Sequence, residues 1–272
     1  MKAYIGVTLA AICLLSAGVV AQERDGFVEA IGNVLPVALP PGGDPPRLSD
    51  GHIDFSGVWF QGSTGKANQW SVVPNEPGGP QDPIPFLPAV QAKLDSMSRV
   101  EIEVIRPSVR CQPVGTPGMF NQNSGYPFQI ISKPGLFVHL IESDMDWRVV
   151  HTDGRAHRGE LDLEPLYNGD QVADWEGDTL VIDTISLHPS TWIQGNGWTH
   201  GPNAHVIERL RRPSYNYLEW QFTVEDPDVL SEPWTSNWRT HSLGAEDLNE
   251  NYCTNNENVE QLQRVVEVES GN

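Results

Sequence analysis

Between Phe128 and Val224 apolar and polar residues alternate in six runs: Phe128 to Ser132, Leu136 to Ile141, Trp147 to Thr152, Leu180 to Ile185, His205 to Arg211 and Leu218 to Val224. A period of two predicts strands with one face buried. The runs are separated by turn-forming breaks such as Lys133-Pro134-Gly135, Asp153-Gly154 and Glu176-Gly177-Asp178, and Asp54-Phe55-Ser56-Gly57-Val58-Trp59 precedes them as a first strand. Strands joined by short turns describe an antiparallel meander. Closing it into a barrel removes its exposed edges and creates an interior, so the expected fold is mainly β: a single antiparallel barrel. One short helix is predicted over Ala89 to Val104, with Val90, Leu94 and Met97 on its apolar side, and Leu39 to Pro46 reads as an extended Pro/Gly-rich arm.

The ends of the chain carry a different pattern. Met1 to Ala21 has one Lys, an apolar run from Ala3 to Val20 and a small residue before Gln22, the make-up of a secretory signal peptide. The expected organisation is therefore a signal peptide over residues 1–21, an arm over 22–50 and one barrel domain over 51–272. The mature protein is expected to be exported, periplasmic or secreted, without membrane insertion after cleavage. Export permits disulfides, and Cys111 and Cys253 are the two cysteines outside the leader, so their pairing is expected. The charge points the same way as a soluble exported protein. Seventeen basic and 36 acidic residues give −19, and loss of Lys2 makes it 16 − 36 = −20. Such a surface repels phosphate, which argues against nucleic acid and anionic membranes as partners. Gly57-Val58-Trp59 also resembles the Gly-x-Trp of lipocalin-like barrels, whose Trp plugs the closed end.

Strand alternation singles out polar side chains on apolar faces. In Val206, Glu208, Leu210 and in Leu136, Val138, Leu140, Glu142 a carboxylate shares the apolar face, making Glu208 and Glu142 candidates for a barrel cavity. Burial would raise such a carboxyl toward the range useful for acid/base work, whereas an Arg partner would make it a structural ion pair. Five of the eight histidines, His151, His157, His188, His200 and His205, fall between Trp147 and Arg212. His157, His200 and His205 lie in or beside loops, where they can move protons, anchor substrate, or form a three-His zinc or copper site; satisfied structural hydrogen bonding is the plain alternative. Arg155, Trp192 and Trp198 are candidate substrate contacts beside them, although a Trp is more often core. Phosphate loops, nucleophile elbows and paired-cysteine metal motifs are absent from the sequence.

Several blocks together resemble a large family of secreted bacterial proteins of unassigned activity: Asp54-Phe55-Ser56-Gly57-Val58-Trp59, Cys111-x-Pro-x-Gly115, Asp153-Gly154-Arg155-x-His157, Trp175-Glu176-Gly177-Asp178-Thr179-Leu180-Val181-Ile182-Asp183-Thr184 and His205-Val206-Ile207-Glu208-Arg209. The resemblance spans about Arg47 to Cys253 and implies export and a single domain. It departs at Gly201-Pro202, where the family has Ser-Glu, and at Thr254-Asn255, where it has His-Glu. The reading that joins these observations is an exported enzyme. It needs no cofactor and does acid/base chemistry of lyase, hydratase or isomerase type on a small, largely apolar molecule, using Glu208, His157, His200 and His205. A non-catalytic carrier of an apolar ligand and a zinc or copper enzyme are the alternatives.

Overall fold

The computed structural model describes residues 27–30, 33–36, 39–61, 83–120, 127–142, 146–159, 164–194, 197–244 and 247–252. The signal peptide and Cys253 lie outside the described residues. Two short strands come first, β1 (Phe27–Ala30) and β2 (Asn33–Pro36), paired as a hairpin. The barrel wall follows: β3 (Gly57–Gln61), β4 (Phe128–Lys133), β5 (Leu136–Ile141), β6 (Trp147–His151), β7 (Asp170–Glu176) and β8 (Thr179–Ile185). After a small pair, β9 (Trp192–Gln194) and β10 (Trp198–Thr199), come β11 (His205–Ser214), β12 (Tyr217–Glu225), β13 (Trp234–Thr235) and β14 (Arg239–Leu243). Strands β3 to β8, β11, β12 and β14 close a nine-stranded barrel, the last seam being β11 on β12. The wall is antiparallel except where β6 meets β7 in parallel at His151 and Val172.

The interior follows the alternation. Phe137 of β5, Val150 of β6, Leu180 and Ile182 of β8, Val206 and Leu210 of β11, and Leu218, Trp220 and Phe222 of β12 are buried. Each aromatic removes about 150–250 Å² from water, a gross gain of roughly 4–6 kcal/mol before entropy is charged. Trp59 of β3 is fully buried in the core, and its indole donates to the Phe55 carbonyl at 3.0 Å. The Arg212 guanidinium lies 4.8 Å from that ring and donates to the carbonyls of Asp54 (2.6 Å), Ser56 (3.3 Å) and Tyr215 (2.6 Å). Gly57 at φ 150° is where the chain turns under Trp59, and a Cβ there would lie 2.6 Å from Leu243. The Trp of the Gly-x-Trp thus belongs to the barrel core.

Three features differ from the sequence expectation. Strands β7 and β14 lacked an apolar face in the sequence because Gln171, Arg239 and His241 are themselves among the residues the wall buries or half-buries. The helical span expected over Ala89 to Val104 is split into two short helices, α1 (Pro88–Ser96) and α2 (Arg99–Ile105). Ser98 and Glu101 form a capping box that starts the second, so the chain breaks at Met97. The arm is pinned rather than merely extended: Asn216 Nδ2 donates to the Pro40 carbonyl at 2.8 Å, the Tyr217 hydroxyl donates to that of Leu39, and the Tyr215 amide donates to that of Gly43 at 2.9 Å.

Candidate functional site

Two polar clusters are built on opposite faces of the same strands. Inside, Glu208 on β11 is fully buried and points into the barrel, as its place between Val206 and Leu210 requires. Arg148 on β6, three strands away round the wall, reaches across the interior with Nη1 at 2.5 Å from Oε2 and Nη2 at 3.0 Å from Oε1. The Trp220 indole donates to Oε1 at 3.0 Å. Thr116, from the loop before the 3₁₀ turn Gly118–Phe120, accepts from Arg148 Nη1 at 3.1 Å and from Gln171 Nε2 at 2.9 Å. The carboxylate is therefore held by a bidentate guanidinium and an indole, which is the ion-paired arrangement and not a base open to substrate.

Beside this pair the interior buries further titratable groups. His139 is directly opposite Arg148 across β5 and β6, and burial, reinforced by Arg148, holds its imidazole well below the ordinary range. Burial and the neighbouring Arg239 push His241 down to about 3. Arg239 is itself lowered to about 9 by burial, and it packs 5.4 Å from Trp220 and 5.5 Å from Phe222. Phe128 stands edge-on to both imidazoles, 4.9 Å from His139 and 5.0 Å from His241. Both histidines are neutral at ordinary pH and serve as packed core. His139, His241, Arg148 and Arg239 were not singled out in the sequence. On β5 the inward face is Phe137, His139 and Ile141, not the Leu136, Val138, Leu140, Glu142 face expected from the sequence; both faces of that strand are apolar, so alternation did not choose between them.

Outside, the odd-numbered residues of β11 face solvent, and here two of the predicted histidines meet. Asp183 on β8 has one oxygen, Oδ1, 2.9 Å from Nε2 of His205 and 2.9 Å from Nε2 of His157. The other nitrogen of His157 faces Asp170 at 2.8 Å, and that of His205 faces Glu225 at 3.2 Å. Arg158 Nε adds 2.6 Å to Asp170, so the loop after β6 is latched to the outer wall by two consecutive side chains. The hydrogen bond to Asp183 raises the His205 pKa, against a smaller opposing effect of burial. Burial works against the charged form of Asp183, but the hydrogen bonds from His205 and His157 outweigh it and hold the carboxyl below its ordinary value. The two side chains remain partly open, 23% exposed for His157 and 29% for His205.

The remaining candidates do not join either cluster. His200 is engaged by the Thr191 hydroxyl at 2.9 Å and the carbonyls of Gly201 (2.9 Å) and His188 (3.2 Å), so it fastens the loop before β11. A three-His arrangement is not assembled by these contacts, and among the described residues no three His, Cys, Asp or Glu side chains group as a metal site. Arg155 is paired with Asp153 in its own turn, with Nη2 at 2.6 Å. Trp198 and Trp192 are buried; Trp198 packs edge-on against Phe86 (5.2 Å) and Trp234 (5.4 Å) as core. Glu142 accepts from the Asn249 amide at 2.7 Å and anchors the segment that follows the barrel. Among the described residues no helix is long and apolar enough to cross a membrane. No protein-family model matches the chain, and no curated protein matches it. The functional reading rests on these side chains.

Proposed function

We propose that the protein is an exported acid/base enzyme whose proton-transfer group is His205, oriented by Asp183, on the outer wall of the barrel. The observation that carries this is the pair of 2.9 Å contacts placing both imidazole Nε2 atoms on one carboxylate oxygen. A carboxylate fixing one ring nitrogen selects the tautomer and leaves the other nitrogen for chemistry. On His205 that nitrogen is Nδ1, whose contact with the half-exposed Glu225 is the longest in the cluster at 3.2 Å and the easiest for a substrate to replace. His157 braces Asp183 from the other side and is the second imidazole able to carry a proton. Asp170, Asp183 and Glu225 make the field negative, so the substrate is neutral or cationic, with Val172 and Ile207 flanking Asp183 in register. The reaction class is proton abstraction leading to elimination or isomerisation, with no cofactor in these steps. The pairing of Cys111 with Cys253 stays part of this proposal, and non-reducing peptide mass analysis of the exported protein tests it directly.

A base probe tests the site without the natural substrate. With 5-nitrobenzisoxazole, abstraction of the ring C–H proton breaks the N–O bond and releases a coloured nitrile-phenolate. Turnover above that of free imidazole is expected, with His205→Gln losing about a hundredfold or more. Asp183→Asn is expected to move the midpoint of the pH–rate profile down toward 6.5, the ordinary imidazole value. Undiminished turnover in His205→Gln, or a midpoint indifferent to Asp183, defeats the proposal; an inactive protein that binds an apolar fluorophore favours the carrier.

A further inference from the structure

The outer wall is divided by charge. On β7, β8, β11 and β12 the outward positions carry six acids, Asp170, Asp174, Glu176, Asp183, Glu219 and Glu225, against two arginines, Arg209 and Arg211, which pair with Glu176 and Glu219. On β4, β5 and β6 the outward positions are Gln129, Ile131 and Lys133, then Leu136, Val138 and Leu140, then Trp147, Val149 and His151. None of these nine is acidic, in a chain whose formal charge is −19. Register puts Ile131 beside Val138 and Val138 beside Val149, with Leu140 beside Trp147 in the next row. The apolar side chains are therefore contiguous and not scattered. Trp147 is 61% exposed, Val149 40% and Ile131 37%, far from the burial of the interior residues that alternate with them. The nearest acid in sequence, Asp146, is turned into hydrogen bonds from the Trp147 amide at 2.8 Å and Asn168 Nδ2 at 3.4 Å.

We infer that this face is the interface through which two copies of the chain pair back to back. A contiguous apolar patch on a soluble chain marks an interaction surface. Charge selects the partner: two strongly acidic molecules approach at least cost through the wall that has no acids, and a two-fold axis there turns both acidic walls outward. Trp147, at a corner of the patch beside Leu140, is the residue type that dominates such contacts. His205 lies on β11, and His157, from the loop after β6, is held against Asp183 of β8; both face the acidic wall and stay open in the dimer.

The test is sedimentation equilibrium of the exported protein from about 1 µM to about 1 mM, the Kd range of weak specific pairs. A species of twice the monomer mass is expected. Raising salt from about 0.01 M to about 0.1 M shortens the screening length from about 30 Å to about 10 Å and is expected to strengthen the dimer, since only like-charge repulsion is removed. Trp147→Glu and Val149→Arg are each expected to weaken it at least tenfold with circular dichroism unchanged. A protein that is monomeric throughout overturns the inference, as does a dimer indifferent to both substitutions. A monomer that instead binds phosphatidylcholine vesicles through Trp147, read by its fluorescence, also overturns it and assigns the patch to lipid.

Discussion

Glu208→Gln is expected to unfold the protein more readily. The side chain is fully buried, and Arg148, equally buried, donates to both of its oxygens. Replacing the carboxylate with an amide puts an N–H₂ or a neutral carbonyl where a charge was, leaving the guanidinium in the interior without its counter-ion. Breaking one side of a buried pair costs about 3–5 kcal/mol. For a domain of this size each kcal/mol moves the melting temperature by about 2–4 °C, so the expected fall is roughly 6–20 °C. Thermal and urea unfolding followed by circular dichroism measure it. The same argument predicts that Glu208→Leu combined with Arg148→Met is far less damaging than either change alone, because no charge is then stranded. A single Glu208→Gln variant melting within about 2 °C of the parent, or a double variant as unstable as the sum of its singles, would refute the assignment of this pair to the core.

Two further outcomes follow from the interior. Arg212→Ala removes hydrogen bonds to three carbonyls and a cation stacked on Trp59; a loss of about 3 kcal/mol in urea unfolding is expected, and Arg212→Lys restores little of it because an ammonium cannot fork between them. His241 titrates near 6.5 when unfolded and about 3 when folded, so its contribution to stability is complete above about 6.5 and is lost as pH falls from there toward 3. His139 acts in the same direction. His205 has the opposite sign, since its raised folded value makes its contribution present below 6.5 and lost as pH rises through that value. Melting temperature is accordingly expected to fall between pH 7 and pH 4, and His241→Gln to remove about one proton from the uptake on unfolding near pH 5; an unchanged pH slope would contradict the burial of a neutral imidazole.

The barrel was legible where its strands have an apolar side. Val206, Glu208, Leu210 and Leu218, Trp220, Phe222 declare their inward face by a period of two, and Trp59 of Gly57-Val58-Trp59 is buried with them. Strands β7 and β14 were not legible, because a strand that faces a polar interior layer shows no apolar periodicity. The parity argument did locate Glu208 inside. What it could not supply was Arg148, sixty residues earlier, since a pair across a barrel leaves no spacing in the chain. His157 and His205 were readable as candidates, but Asp183 was not: as one acid in an apolar strand it stands out only once β8 and β11 lie side by side. His200 failed as a partner because a turn at Gly201 directs its ring onto backbone carbonyls.

On β11 three residues separate the two chemistries. His205 faces out to Asp183 and Glu208 faces in to Arg148, so both clusters use the same strand as a rigid mount while the sheet between them insulates one from the other. Inside, low polarisability makes an unpaired charge costly, and the groups there are locked or kept neutral. Outside, water tolerates an imidazole that gains and loses a proton, and the cost of exchanging Glu225 for a substrate is small. A group locked in a bidentate ion pair cannot exchange its proton with a substrate, whereas a partly open imidazole can. On the proposed reading, proton transfer takes place on the wall and Glu208 braces it from inside: substitutions at His205 are expected to change pH-dependent turnover at nearly constant stability, and substitutions at Glu208 to change stability first. Turnover measured on each variant below its own melting transition separates the two, and loss of turnover in a still-folded Glu208→Leu, Arg148→Met protein would move the chemistry back inside the barrel.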